Sequence, residues 1–434
     1  MPNSLKKWIK RKMFPRKKQN YEDPPPAPPF RTEWPNISAP NADLAANYGL
    51  FQKLPVELRQ QILGYAFGNR TIHIHLEFGH PFTRKQLPAR KSSGATNSLR
   101  GGIVRNDRRP QQWQWFSCVC HRRVIRPTDD NESVVNGLAV EAWEDGCIPS
   151  GVGHRSGYRP PSAAFCECKS PDRSSHDECL LGVFGWLLAS RQAYLDGMDV
   201  LFRTNTFHIS SLPLLLDLPQ LLPPRYLPTI TSLELLWTFA DPSRLRDSTM
   251  TSIWDRYIGT PSTSESVIEP TKFHRLCDLI PTTFPHLRRL YISMQAYLLP
   301  PDGNGGPDIR GAVETLFIHP IEDVFRALGP APGKEFSLAI QQGGWKVFAQ
   351  RWTEGDMEEG LKGRRVVEKV KVGSETGEPG SVEQVGWREK VWKPLGLEER
   401  DGGYWLCWGW DDFEVLGSQY WLYNLWGLGV GLAA

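Results

Sequence analysis

Two nine-residue stretches, Leu227-Pro228-Thr229-Ile230-Thr231-Ser232-Leu233-Glu234-Leu235 and Phe284-Pro285-His286-Leu287-Arg288-Arg289-Leu290-Tyr291-Ile292, repeat at an offset of 57 residues. Each apolar position of the first is apolar in the second. Before the second copy, Phe273, Leu276, Cys277, Leu279 and Ile280 fall on one helical face, so the unit reads as helix, proline turn, strand. Such a unit cannot bury its apolar face alone, and its copies must stack as neighbouring parallel strands under a layer of helices. Two copies are too few for a solenoid. A parallel α/β layer is the expected outcome.

Other segments extend that layer. Leu58, Ile62, Leu63 and Phe67 recur at helical spacing after Leu54-Pro55, with Pro55 suited to a first turn and Gly68 just past the end. In Thr71 to Leu76 the apolar Ile72, Ile74 and Leu76 alternate with Thr71, His73 and His75. That is the period-two pattern of a half-buried strand, with the two histidines on a solvated face. Leu187, Leu188, Tyr194, Leu195, Met198, Leu201 and Phe202 predict a helix of roughly four turns, and Thr204-Asn205-Thr206 turns the chain into the strand Phe207-His208-Ile209. Glu335 to Ile340 and Tyr404 to Trp410 are further strand candidates. The expected fold is therefore mixed α/β or α+β: a first helix, then helix–strand units around a partly parallel, leucine-rich-repeat-like sheet, with long irregular loops.

Residues 1–43 read as a disordered, basic and proline-rich head, and 44–430 as a single mixed α/β domain with irregular insertions near 82–112, 148–178 and 353–385, where Gly, Pro, Ser and charges concentrate. Lys6, Lys7, Lys10, Arg11, Lys12, Arg16, Lys17 and Lys18 place eight of the 51 basic residues at the start, which leaves 43 against 48 acidic residues in the remainder. A mildly acidic body gives no reason to expect nucleic acid on it. The head lacks the continuous apolar run of a secretory signal, so the expected location is intracellular, in cytoplasm or nucleus, with reduced thiols. Val415 to Ala434 carries no charge, but its glycines and mid-segment aromatics read as a strand rather than a membrane anchor.

Catalytic signatures are missing: there is no Gly-x-Ser-x-Gly, no His-Glu-x-x-His and no phosphate-binding glycine loop. The sequence leans away from an enzyme, and an unrecognised enzyme, its site assembled from residues scattered along the chain, stands as the third alternative. Cys118, Cys120, Cys147, Cys166, Cys168 and Cys179 cluster. Among them Cys166, Cys168, His176 and Cys179, with Cys118 and Cys120 as further candidates, have the soft ligand types that tetrahedral zinc takes. A zinc-stapled scaffold is the alternative to free thiols at this insertion.

Leu54-Pro55-Val56-Glu57-Leu58, with Ile62 and Leu63, resembles the opening of an F-box, the helical motif that docks on a Skp-type adaptor of ubiquitin ligases. That resemblance implies a protein partner met through Leu54, Pro55, Leu58 and Ile62. Together with Thr71-Ile72-His73-Ile74, Gly185 to Tyr194 and Leu201 to Phe207, these residues look like an uncharacterised fungal domain family with an F-box-like start, over about Phe51 to Met294. Ser190 stands where that family has Cys before Arg191. The family has no established activity, so the expected role is a protein-interaction module.

Overall fold

The computed structural model describes residues 26–30, 49–84, 103–120, 180–238, 272–295, 311, 313–340, 342–354, 363–372, 384–396 and 402–408. The chain divides into Met1–Phe30 and Arg31–Ala434. In the first unit Pro26–Phe30 is neither helix nor strand, as five residues with three prolines dictate. All that follows concerns the second.

Its strands are β1 (Thr71–Gly79), β2 (Phe82–Arg84), β3 (Ile103–Arg105), β4 (Gln112–Val119), β5 (Thr206–Ile209), β6 (Ser232–Thr238), β7 (Arg289–Gln295), β8 (Glu335–Ile340), β9 (Arg364–Val372), β10 (Gln384–Pro394) and β11 (Gly403–Trp408). Nine of them form one sheet in the order β4-β1-β5-β6-β7-β8-β11-β10-β9. The six central strands, β1 to β11 in that order, are parallel, and antiparallel strands close both edges. β2 and β3 pair separately as a small ribbon. The sequence repeat reappears as register: Leu233 lies beside Leu290 and Leu235 beside Ile292.

Among the described residues seven helices accompany the sheet: α1 (Val56–Phe67), α2 (Phe184–Leu187), α3 (Arg191–Thr204), α4 (Leu212–Leu221), α5 (Lys272–Thr283), α6 (His319–Leu328) and α7 (Gln342–Glu354). Because β1, β5, β6, β7 and β8 lie side by side in chain order, crossovers of one hand put the connecting helices on one face. On that face Ile72, Phe207, Leu233, Leu290, Phe336 and Leu406 join Phe273, Ile321, Phe325 and Phe348 of the helices in one continuous buried core. No helix among the described residues is long and apolar enough to cross a membrane.

Several expectations are corrected. The predicted helix from Leu187 is two helices, because Ser190 caps α3 by accepting a 3.0 Å bond from the Ala193 N–H, and this leaves Leu188 exposed. Pro55 precedes α1 rather than sitting in its first turn. The region 82–112, expected as a loop, contributes β2 and β3, and 353–385 contributes β9 and the start of β10. Strand pairing prevails there over a charged, glycine-rich composition, as ladder bonds often do over weak local preference. His73 and His75, expected on a solvated face, are buried. The insertion 148–178 and Val415 to Ala434 lie outside the described residues.

Candidate functional site

α1 is apolar on two sides. Leu63 and Phe67, four apart, face inward and are buried, while Leu58, Ile62 and Tyr65, at spacings of four and three, are 45%, 42% and 77% exposed. An apolar residue left in water forgoes the roughly 1.5–3 kcal/mol that burial would contribute, so three on one helical stripe form a surface suited to association. Leu54 is half-buried and Pro55 exposed at its start. Of the four residues expected to meet a partner, Pro55, Leu58 and Ile62 are thus exposed and Leu54 half-buried.

Polar contacts hold that helix in place. Arg59 Nε lies 3.0 Å from Asp196 Oδ2 on α3, and Gln60 Nε2 donates to Asp199 at 3.4 Å. The Arg59 guanidinium also donates to the carbonyls of Phe51 and Leu54, fixing the turn before the helix. Phe51 meets Trp186 edge to face at 4.6 Å between centroids, beside the exposed Phe184 and Leu188. α2 packs this close to α3 because residue 197 is glycine: a Cβ there would stand 2.7 Å from Leu187 Cδ2 and 2.9 Å from Trp186 Cδ1.

The second arrangement is on the sheet face away from the core. Register carries one row of side chains from Cys118 through His73, His208, Glu234 and Tyr291 to Ser337 and Trp405. His73, His208 and Glu234 are only 1%, 6% and 3% exposed. The two imidazole rings are 4.5 Å apart, centroid to centroid. One row toward the strand starts, Thr206 and Ser232 hydroxyls bond at 2.8 Å, and Arg289 donates to Thr206. One row toward the strand ends, His75 lies between Ser210 and Glu77.

Glu77 is held below the usual carboxylate value of 4.5. Burial alone would raise it, but the His75 imidazole and the Arg105 guanidinium, 3.0 Å away, favour the ionised form and prevail. Since the folded value lies below the unfolded one, the stability this carboxylate adds is complete above about pH 4.5 and is lost as pH falls further. Glu77→Gln is therefore expected to flatten the acid limb of the stability–pH curve and to cost about 0.5–1 kcal/mol at pH 7, read by urea denaturation at several pH values.

The zinc candidates Cys166, Cys168, His176 and Cys179 lie outside the described residues. Of the other two, Cys118 is buried and Cys120 half-buried, and no group of three or more His, Cys, Asp or Glu among the described residues is disposed to hold a metal. Sequence reasoning missed Ser210, His208 and Glu234. The signal lay in Phe207-His208-Ile209, whose alternation matches Ile72-His73-Ile74 and brings the histidines together once the two strands pair in parallel.

These features define a mixed α/β protein with a nine-stranded, mostly parallel sheet, an outward apolar helix face and a buried polar strip. Residues 148–298 match the model of a domain of unknown function, DUF7730, a stretch that spans α2 to β7. No curated protein and no solved structure matched the chain.

Proposed function

We propose that the chain is a protein-interaction module in which α1 docks on a partner through Leu58, Ile62 and Tyr65, and that a Skp-type adaptor is that partner. The observation that carries the reading is the two-faced helix: Leu63 and Phe67 already anchor it, so the exposed stripe of α1 is unnecessary to its own packing. The F-box-like Leu54-Pro55-Val56-Glu57-Leu58 supplies the partner's identity. Such a role belongs in the cytoplasm or nucleus, where these adaptors work.

The test is titration calorimetry of the purified full chain against a purified Skp-type adaptor. Leu58→Asp and Ile62→Asp are each expected to weaken binding about 30-fold or more, as loss of an interface hot spot does, without lowering the thermal midpoint, because both side chains face solvent. No heat of binding from the wild-type chain, or equal affinity in the variants, would remove the adaptor from consideration.

A further inference from the structure

The polar strip ends, beside the middle of β1 and just past the last residue of β5, in three side chains of complementary chemistry. His75 Nδ1 lies 3.1 Å from Ser210 Oγ, and His75 Nε2 lies 3.8 Å from Glu77 Oε2. The backbone makes this meeting unavoidable. Ile74 pairs with Ile209, so the next pair in register is His75 with Ser210, while Glu77 follows His75 by two residues on the same strand face. Arg105 Nη2 donates to Glu77 Oε2 at 3.0 Å, and Arg105 Cζ lies 4.5 Å from the Phe82 ring centroid, so the guanidinium holds the same carboxylate oxygen that faces His75.

We propose that Ser210, His75 and Glu77 form a nucleophilic site for small acyl esters, with Ser210 as nucleophile, His75 as general base and Glu77 as the residue that positions the imidazole. An ionised carboxylate accepts but does not donate, and its charge 3.8 Å from Nε2 favours the tautomer with the proton there, which leaves the Nδ1 lone pair facing the Ser210 hydroxyl. That polarity lets the base take the serine proton. Ser210 is half-buried, whereas His75 is buried, so a substrate approaches from the serine side.

In the reaction, Ser210 Oγ bonds to the ester carbonyl carbon as its proton passes to His75 Nδ1. The tetrahedral adduct collapses, the C–O bond to the alcohol breaks, and the alcohol leaves with the proton from His75. Water then attacks the acyl-serine and yields its proton to His75. Release of the carboxylic acid returns that proton to Ser210. The sum is hydrolysis of the ester by water, with no change of oxidation state.

The experiment treats the full chain with a fluorophosphonate, maps the modified peptide by mass spectrometry, and follows p-nitrophenyl butyrate turnover in parallel. Labelling is expected at Ser210, with labelling and turnover both reduced about 100-fold or more in Ser210→Ala, a small change at a half-buried hydroxyl. Glu77→Gln is expected to move the pH midpoint of the labelling rate toward acid, which loss of a merely structural contact would not do. An unlabelled native protein, a label on another residue, or equal rates in Ser210→Ala would each overturn the assignment. None of these outcomes bears on adaptor binding, which involves a different surface.

Discussion

Glu322→Ala is expected to destabilise the protein by about 3–5 kcal/mol, the usual cost of removing one partner from a buried ion pair. Glu322 sits on α6 with its side chain 5% exposed, and Lys393 on β10 is 14% exposed, their Nζ and Oε1 atoms 2.5 Å apart. Tyr404 on β11, fully buried, donates its hydroxyl to the same oxygen at 2.9 Å. Burial, then the neighbouring carboxylate, pushes the phenol well above its usual value, so it remains a proton donor across the accessible pH range. Truncation strands both donors in a site too dry to rehydrate them. Lys393 also lies 4.1 Å from the Trp352 ring centroid, so its charge is held against the core. Glu322→Gln, which keeps an acceptor for Tyr404 but no charge for Lys393, is expected to cost roughly half as much. The double variant Glu322→Leu with Lys393→Met should recover most of the loss, since apolar replacements of buried pairs are often neutral. Urea denaturation at constant slope measures all three; a loss under about 1 kcal/mol for Glu322→Ala would mean that water reaches the pair.

The layer of the fold was legible because its signal is local. The copies Leu227 to Leu235 and Phe284 to Ile292 state their own register, and β6 and β7 pair at that offset. The Glu335–Ile340 strand has the bounds its apolar run predicts. Illegible were the parts in which long-range pairing outweighs local preference. Arg364-Arg365-Val366-Val367-Glu368-Lys369 reads as a solvated loop, yet it is held as a strand by β10, whose own place depends on β11. Glu322 is tied to Lys393 and Tyr404, each more than seventy positions along the chain from it, and no local window contains all three.

The polar strip was half legible. Period-two alternation correctly sets His73 and His75 on one face of β1, but alternation reports only that two faces differ. It cannot tell water from a buried polar row. That His208 and Glu234 continue the row follows from parallel pairing, and His75 meets Ser210 only because Ser210 is the residue after the last paired position of β5. The helix surface was more legible. Leu58 and Ile62 share a face by their spacing of four, and the structure adds that Leu63 and Phe67 do the anchoring instead.

Asn205→Asp is expected to be the most damaging single-atom change near that helix. Asn205 is fully buried where α1 and α3 both end. Its Oδ1 accepts from the Arg70 N–H at 2.8 Å, and its Nδ2 donates to the carbonyls of Phe67 at 3.1 Å and Leu201 at 2.9 Å. One side chain thus satisfies the frayed ends of two helices and the entry to β1, beside a close approach that only glycine permits: a Cβ at Gly68 would stand 2.6 Å from Thr204 Oγ1. Asn205→Ala orphans one N–H and two carbonyls and is expected to cost about 3 kcal/mol. Asn205→Asp is worse at pH 7, because a carboxylate oxygen replaces the donor and faces two carbonyl oxygens in a fully buried site. Protonation restores a donor, so Asn205→Asp, unlike Asn205→Ala, should regain stability as pH falls toward 4, where the wild type gains nothing from this position. Parallel denaturation series at pH 7 and pH 4.5 separate the two variants. Equal losses at both pH values would show that the amide fills space rather than bonding. A loss that is confined to α1, seen as faster hydrogen exchange in Val56–Phe67 with the sheet still protected, would show that Asn205 is what couples the outward-facing helix to the layer beneath it.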